Sequence, residues 1–202
     1  MELIEAIRSR VSVRDFADRE IPDEVIVEML DAARLAPSGN NRQDWAFGVV
    51  KDAELRAQLA HAAGDQMWIA SAPVVIALCA DISRDIRPAN DPTMGSSLAR
   101  FGRQLLDCLN DCPDRKAVNK LFANATPLVP GEHMFLVAVS HGLSGCFVGH
   151  LDTQRAGEIL RLPEHLACLY LLPVGYPADA AHMSPRAKKS IDEVSFVNTW
   201  LS

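Results

Sequence analysis

The chain has no apolar run approaching the roughly 18 residues that a membrane helix needs. Its longest such run, 72–80, reads instead as a buried strand. Any long basic tract is also missing and the net charge is −6, so nucleic acid is not an expected partner. Gly142, Gly145 and Gly149 do not spell G-x-G-x-x-G and come after no strand, which removes the dinucleotide fingerprint. The histidines at 61, 133, 141, 150, 165 and 182 show neither His-x-His nor His-Glu-x-x-His spacing. The five cysteines are odd in number, and Cys108 and Cys112, four apart, have no second pair to complete a metal site. Neither a disulfide framework nor a metal centre is expected, and a reducing, cytoplasmic compartment fits. The acidic, amphipathic opening, Met1-Glu2-Leu3-Ile4-Glu5, does not read as a signal peptide. No internal repeat or low-complexity tract is present.

The residues that are there suit one globular domain. The 202 residues are 49% hydrophobic and 23% charged, enough for a proper core. A short helix is predicted over 2–9. The clearest helix covers 22–35, where Ile26, Met29, Leu30 and Ala33 recur at helical spacing between Pro22 and Pro37. Strands are predicted at 45–50, 72–80 and 168–174, and helices at 52–63, 96–109, 132–141 and 153–160. Gly142 is placed to close the helix before it in a left-handed conformation. Residues 84–95 read as loop, and Pro113, Pro127 and Pro130 punctuate the stretch between the helices predicted at 96–109 and 132–141. Helices come first, then strands mixed with helices without regular alternation, which predicts an α+β fold.

Two segments carry the chemistry. In an extended stretch, Arg10, Ser12 and Arg14 point to one side and Val11 and Val13 to the other. One face then offers two guanidinium groups and a hydroxyl, donors that suit a phosphate ester or a polarised carbonyl. The alternative is a solvated basic loop. The second segment, Ala36-Pro37-Ser38-Gly39-Asn40-Asn41, is good turn chemistry and also offers amides and hydroxyls to a planar heterocycle. Arg186, Lys188 and Lys189 form a late basic cluster, read either as a solvated tail or as further cations for the same anion. Cys146, among apolar residues with no basic partner adjacent, is not expected to be a nucleophile. The tail residues Val194, Phe196, Val197, Trp200 and Leu201 have no obvious local partner.

In order along the chain, these segments resemble the nitroreductase family of FMN enzymes. Its members place Arg-[Arg/His]-Ser-x-[Arg/Lys]-x-Phe after a first helix, and the chain has Arg10-Val11-Ser12-Val13-Arg14-Asp15-Phe16. They continue with Ala-Pro-Ser-x-x-Asn-x-Gln-Pro-Trp, matched by Ala36-Pro37-Ser38-Gly39-Asn40-Asn41-Arg42-Gln43-Asp44-Trp45. Gly142-Leu143-Ser144-Gly145, Val174-Gly175-Tyr176-Pro177 and Arg186-Ala187-Lys188 complete the pattern. Val11 replaces the usual Arg or His, and Asp44 replaces a proline and is expected to loosen its turn.

The resemblance implies one FMN-binding domain over 1–202. Its fold would have three layers, a central mixed sheet flanked by helices, with the C-terminal segment exchanged in a homodimer. Arg10 and Ser12, with Arg186 and Lys188, would hold the FMN phosphate, beside Val11. Arg14 would lie near the pyrimidine end of the ring and support it electrostatically. Pro37, Ser38, Gly39 and Asn41 would meet the ring and ribityl chain, and backbone N–H groups around Gly149 and His150 would face its N5 and O4. The flavin carries the chemistry, so no catalytic side chain or metal is implied. The implied activity is hydride transfer from NAD(P)H to a nitroaromatic, quinone or similar aromatic acceptor, with ping-pong kinetics. Residues 81–130 match no pattern and are expected to be a variable substrate-pocket insertion; Phe101 and Phe122 are candidates to stack on the acceptor, with core packing the competing and favoured role for each. Two alternatives stay open: a non-catalytic flavin carrier or sensor, and a specialised branch that removes halogen, fragments flavin or oxidises a heterocycle.

Overall fold

Val25, Ile26, Met29 and Ala33 turn one face of the second helix inward, and the core is built on that face. The computed structural model describes residues 1–84, 102–179 and 185–200. The described elements, in order, are α1 (Leu3–Ser9), α2 (Asp23–Arg34), a 3-10 turn (Gly39–Asn41), β1 (Trp45–Val50), α3 (Ala53–Ala62), α4 (Trp68–Ser71) and β2 (Val74–Asp81). They continue with α5 (Arg103–Asp111), α6 (Arg115–Ala123), α7 (Leu128–Ser140), β3 (Ser144–Gly145), α8 (Thr153–Ile159), β4 (Leu166–Gly175) and α9 (Ile191–Val194). The α+β expectation holds.

The sheet order is β1-β2-β4-β3, and all three strand pairs are antiparallel. The sheet was expected to be mixed, but among the described residues its named strands pair only antiparallel, and the parallel bridge between Ser12 and Gly145 lies outside those pairings. β2 is apolar on both faces, as an internal strand requires. Its Val74, Ile76 and Leu78 join one core cluster with Met29 of α2 and Met134, Phe135 and Ala138 of α7. Its Val75, Ala77 and Cys79 join another with Leu59 and Ala60 of α3, Ile69 of α4 and Ala156 of α8. Helices therefore cover both faces, which gives the three layers.

Some element ends have a local cause. Asp52 accepts from the Leu55 N–H to start α3, and Asp152 accepts from the Gln154 and Arg155 N–H groups to start α8. Gly142 comes after α7 with φ +75°, the left-handed conformation expected of it. The helix predicted over 132–141 begins earlier, at Leu128. Pro130 does not break it, because N–H groups of a first turn have no intrahelical acceptor to lose. α6 was not expected: Asp114 caps it by accepting from the Ala117 N–H, directly after the proline that reads as punctuation. Of the helix predicted over 96–109, the part before residue 102 lies outside the described residues, as do Phe101 and the loop reading of 85–95. Among the described residues no helix is long and apolar enough to cross a membrane.

Candidate functional site

The segment after α1 is tied to the sheet by its backbone. The Val13 N–H donates to Gly145 O at 2.9 Å, the Ala17 N–H donates to Tyr176 O at 2.8 Å, and Ser144 Oγ donates to Val11 O at 2.8 Å. Phe16 bridges Pro177. Held extended, the segment alternates over 12–14, where Ser12 and Arg14 are exposed and Val13 is buried, but not throughout: Asp15 is exposed, Phe16 is buried, and Val11, expected on the side of Val13, lines the same cavity as the polar residues. Gly145 itself lies close against β4, where a Cβ would strike the Pro173 carbonyl oxygen.

A cavity of about 530 Å³ opens on the polar side of this segment, and Arg8, Arg10, Ser12, Arg14, Arg186 and Lys188 line it. Ile7, Val11 and Pro185 supply its apolar wall. Every charged residue in the lining is basic, although the chain carries a net charge of −6. Two basic segments nearly 180 residues apart thus meet at one place. The arrangement favours a dianion, since several forked or mobile donors converge without a competing carboxylate in the lining. Aromatic rings support two of the cations from behind. The Arg10 guanidinium carbon lies 5.4 Å from the Phe135 ring centroid, and that of Arg14 lies 5.6 Å from the Trp68 centroid. Nearby on α7, burial pushes the half-buried Glu132 carboxyl above its ordinary range, and the charges of Arg10 and His133 partly offset that rise.

The other expected site residues lie elsewhere in the chain. Pro37, Ser38, Gly39 and Asn41 are not in this lining. Their turn is tightly made: the Gln43 N–H donates to Ser38 Oγ at 2.9 Å, and Asn40, Asn41 and Gln43 all have positive φ. The Asp44 carboxylate, in place of the usual proline, pairs with Arg42 at 2.9 Å. Gly149 lies against Tyr170, and His150 borders a separate cavity of about 660 Å³ with His61, Gly64 and Arg155. The His150 ring rests so close to Gly64 that a Cβ there would stand 2.7 Å from it. Among the described residues no group of acidic, histidine and cysteine side chains is arranged to hold a metal. Arg8 belongs to the same arginine-rich segment but was not among the residues implied to hold the phosphate, and it lines the cavity too. Sequence reasoning missed Trp68 and Phe135 as supports, for which no local signal exists.

The family model for nitroreductases matches residues 7–176, from the basic segment to Tyr176 just after β4. The chain belongs to the nitroreductase family. It is 28% identical over 184 residues to an NADH dehydrogenase of Thermus thermophilus, covering 90% of this chain and 89% of that protein. It is 28% identical over 202 residues to an FMN reductase (NAD(P)H) of Bacillus subtilis, covering 100% of this chain and 75% of that one. Among solved structures, a nitroreductase family protein of Streptococcus pneumoniae shares the fold, with a TM-score of 0.73 at 22% identity over 97% of this chain and 100% of its own.

Proposed function

We propose that the chain is an FMN-dependent oxidoreductase that takes hydride from NAD(P)H and reduces a small aromatic acceptor, a nitroaromatic or a quinone. The observation that carries this reading is the convergence of Arg10, Ser12, Arg14, Arg186 and Lys188 on one cavity free of acidic lining. Such a donor set fits the phosphate monoester that distinguishes FMN from riboflavin. Its similarity to an FMN reductase and an NADH dehydrogenase supports the same reading.

When bound, FMN supplies a ring that accepts hydride from a nicotinamide and yields it to a second substrate. The chain's own residues do the rest. Arg10, Arg186 and Lys188 neutralise the phosphate, and Ser12 adds a hydroxyl donor. Arg14, braced on Trp68, would offer a fixed positive charge to the pyrimidine end of a bound ring. Val13, buried behind the segment, keeps its back dry, and Val11 adds an apolar wall to the cavity. Pro37, Ser38, Gly39 and Asn41 fall to the ring and ribityl chain, and the backbone around Gly149 and His150 to its N5 edge.

This assignment asks for a homodimer with the C-terminal segments exchanged, so that the Ser38–Asn41 turn reaches a flavin held mainly by the other chain. Two apolar surfaces support it. Leu3, Ile4 and Ile7 of α1 are 62%, 55% and 48% exposed, and Phe196, Val197 and Trp200 of the tail are exposed as well. Residues 81–130 then form the variable part of a single domain over 1–202 and decide which acceptor enters, with Phe122 of α6 the described candidate to stack on it. A reducing cytoplasm suits a chain whose five cysteines all carry free thiols.

The test is the absorption spectrum of purified protein, followed by anaerobic NADH and NADPH and then a quinone. A yellow protein bleached by a nicotinamide and recoloured by the quinone is the expected result. A colourless protein that takes up no added FMN overturns the reading, and a yellow one that neither nicotinamide bleaches is a flavin carrier instead.

A further inference from the structure

Cys79 of β2 and Cys168 of β4 are register partners on adjacent antiparallel strands. A bulge creates this pairing. Leu78 faces Tyr170, but the next residue, Cys79, faces Cys168, so Leu169 is skipped. In an unbroken ladder Cys79 would oppose Leu169, and Cys168 would point to the other side of the sheet. The bulge turns Cys168 onto the face of Cys79, and both enter the cluster under α3 and α8. Paired antiparallel residues have Cα atoms about 4.5–5.5 Å apart, within the range of about 4.4–6.8 Å that a disulfide spans. The two thiols are unbonded and buried. Cys79 borders a groove of about 1100 Å³ between β1, α3 and α8, which gives a water-sized reagent a way in.

We propose that Cys79 and Cys168 form a reversible oxidation site, at which hydrogen peroxide converts the dithiol to a cross-strand disulfide. In the first step the Cys79 thiolate attacks one peroxide oxygen and the O–O bond breaks. Cys79 becomes a sulfenic acid, and hydroxide leaves and takes a proton to become water. In the second step Cys168 sulfur attacks Cys79 sulfur, the S–O bond breaks, and the thiol proton leaves with the hydroxyl as a second water. Two electrons pass from the two thiols to one peroxide. The division of roles comes from access and local bonding. Cys79 borders the groove, whereas Cys168 does not and its S–H donates to Tyr170 O at 3.5 Å; the contact between the two sulfurs lowers the Cys79 pKa and, with burial, raises that of Cys168. Cys79 is the attacking sulfur and Cys168 the resolving one.

The experiment uses the full-length, flavin-loaded protein with the exposed Cys108 and the half-exposed Cys112 replaced by serine. It is treated with graded hydrogen peroxide, unfolded in a thiol-blocking reagent and mapped by mass spectrometry. The expected result is a loss of two hydrogen masses per chain, a peptide joining residues 79 and 168, and full reversal by dithiothreitol. In Cys168→Ser, dimedone should label Cys79 as the stalled sulfenic acid. Both thiols remaining blockable at peroxide doses that oxidise Cys108 in the unsubstituted protein would overturn the proposal. So would a link to Cys146, or oxygen added to Cys79 without a link in the chain that keeps Cys168. These outcomes are read in the natural pair itself, so a folding defect in the Cys168 variant does not remove the test.

Discussion

The Arg10 guanidinium lies over the ring of Phe135, 5.4 Å from its centroid, and this contact joins the basic cavity to α7, whose Met134, Phe135, Ala138 and Val139 are buried. Phe135 is fully buried and packs edge-on against Phe147 at 5.8 Å. A cation resting on such a ring loses little side-chain freedom when a ligand arrives, since the freedom is already spent.

Arg10→Ala is therefore expected to weaken FMN binding by about 1.5–3 kcal/mol, the scale of a charged hydrogen bond. In a titration that tracks flavin fluorescence this is roughly a ten- to hundredfold rise in Kd. Arg10→Lys should recover part of the loss, because it keeps the charge and loses the fork. An unchanged affinity in the alanine variant would move the phosphate to another part of the protein.

Glu132 gives a pH dependence with a definite sign. Burial raises its folded-state pKa above the ordinary 4.5, so the folded chain holds the proton more tightly than the unfolded one. Its favourable contribution is complete below about 4.5 and is lost as pH rises through the raised folded value. Glu132→Gln, which cannot ionise, should melt higher than the parent at neutral pH, and the difference should shrink as pH falls below the ordinary carboxylate range. The same change removes a carboxylate that competes for Arg10, so FMN should bind more tightly at neutral pH. Equal melting temperatures at pH 7 would show that Arg10 and His133 already offset the cost of burying the charge.

Legibility in the sequence varies with the range of the interaction. β1 was legible to the residue, because aromatic and β-branched residues at 45–50 lie between a polar turn and a capping aspartate. The alternation of Ser12, Val13 and Arg14 was legible for the same reason, being a property of neighbours. α6 was hidden because Pro113 dominates the local pattern, and the cap at Asp114 carries weight only once Val118 and Asn119 are buried. α9 was missed although Ser190 and Glu193 form a complete capping box, a signal present in the sequence. The rings of Phe135 and Trp68 beneath Arg10 and Arg14 belong to contacts across more than fifty residues, and no periodicity records them. The β4 bulge is of the same kind, since it depends on what β2 offers opposite.

Gly175 couples stability to the site. A Cβ there would stand 2.7 Å from Pro73 Cδ and 2.9 Å from Phe16 Cδ1, both on rigid rings. Gly175→Ala should cost about 1–3 kcal/mol by overpacking. Because Phe16 anchors the segment that carries Arg10 and Ser12, flavin affinity should fall as well. Gly157→Ala is the contrasting case: nothing lies within 4 Å of its new methyl, and alanine favours the helix by up to about 1 kcal/mol. Chemical denaturation of both variants, with flavin retention measured alongside, checks the pair. If Gly175→Ala kept full stability and affinity, the Phe16 contact would not hold the segment.

The tail supplies the last expectation. Val194, Phe196, Val197 and Trp200 are 62%, 59%, 84% and 64% exposed, and Leu201 lies outside the described residues. The Phe196 and Trp200 rings meet edge-on at 5.4 Å, so the tail has local order and still no core of its own. Several large apolar side chains left in water forfeit about 1.5–3 kcal/mol each relative to burial, which a second chain can restore. Truncation after Glu193 keeps Arg186, Lys188 and the Ser190 cap, so the phosphate donors survive in sequence while the apolar group is gone. Light scattering at low concentration should show the full chain as a dimer and the truncated one shifted toward monomer, with a lower melting temperature. Flavin should be lost with the dimer, because the Ser38–Asn41 turn then has no second chain to serve. A truncated chain that stays dimeric and yellow would place the interface on α1 alone, where Leu3, Ile4 and Ile7 already form an exposed apolar face.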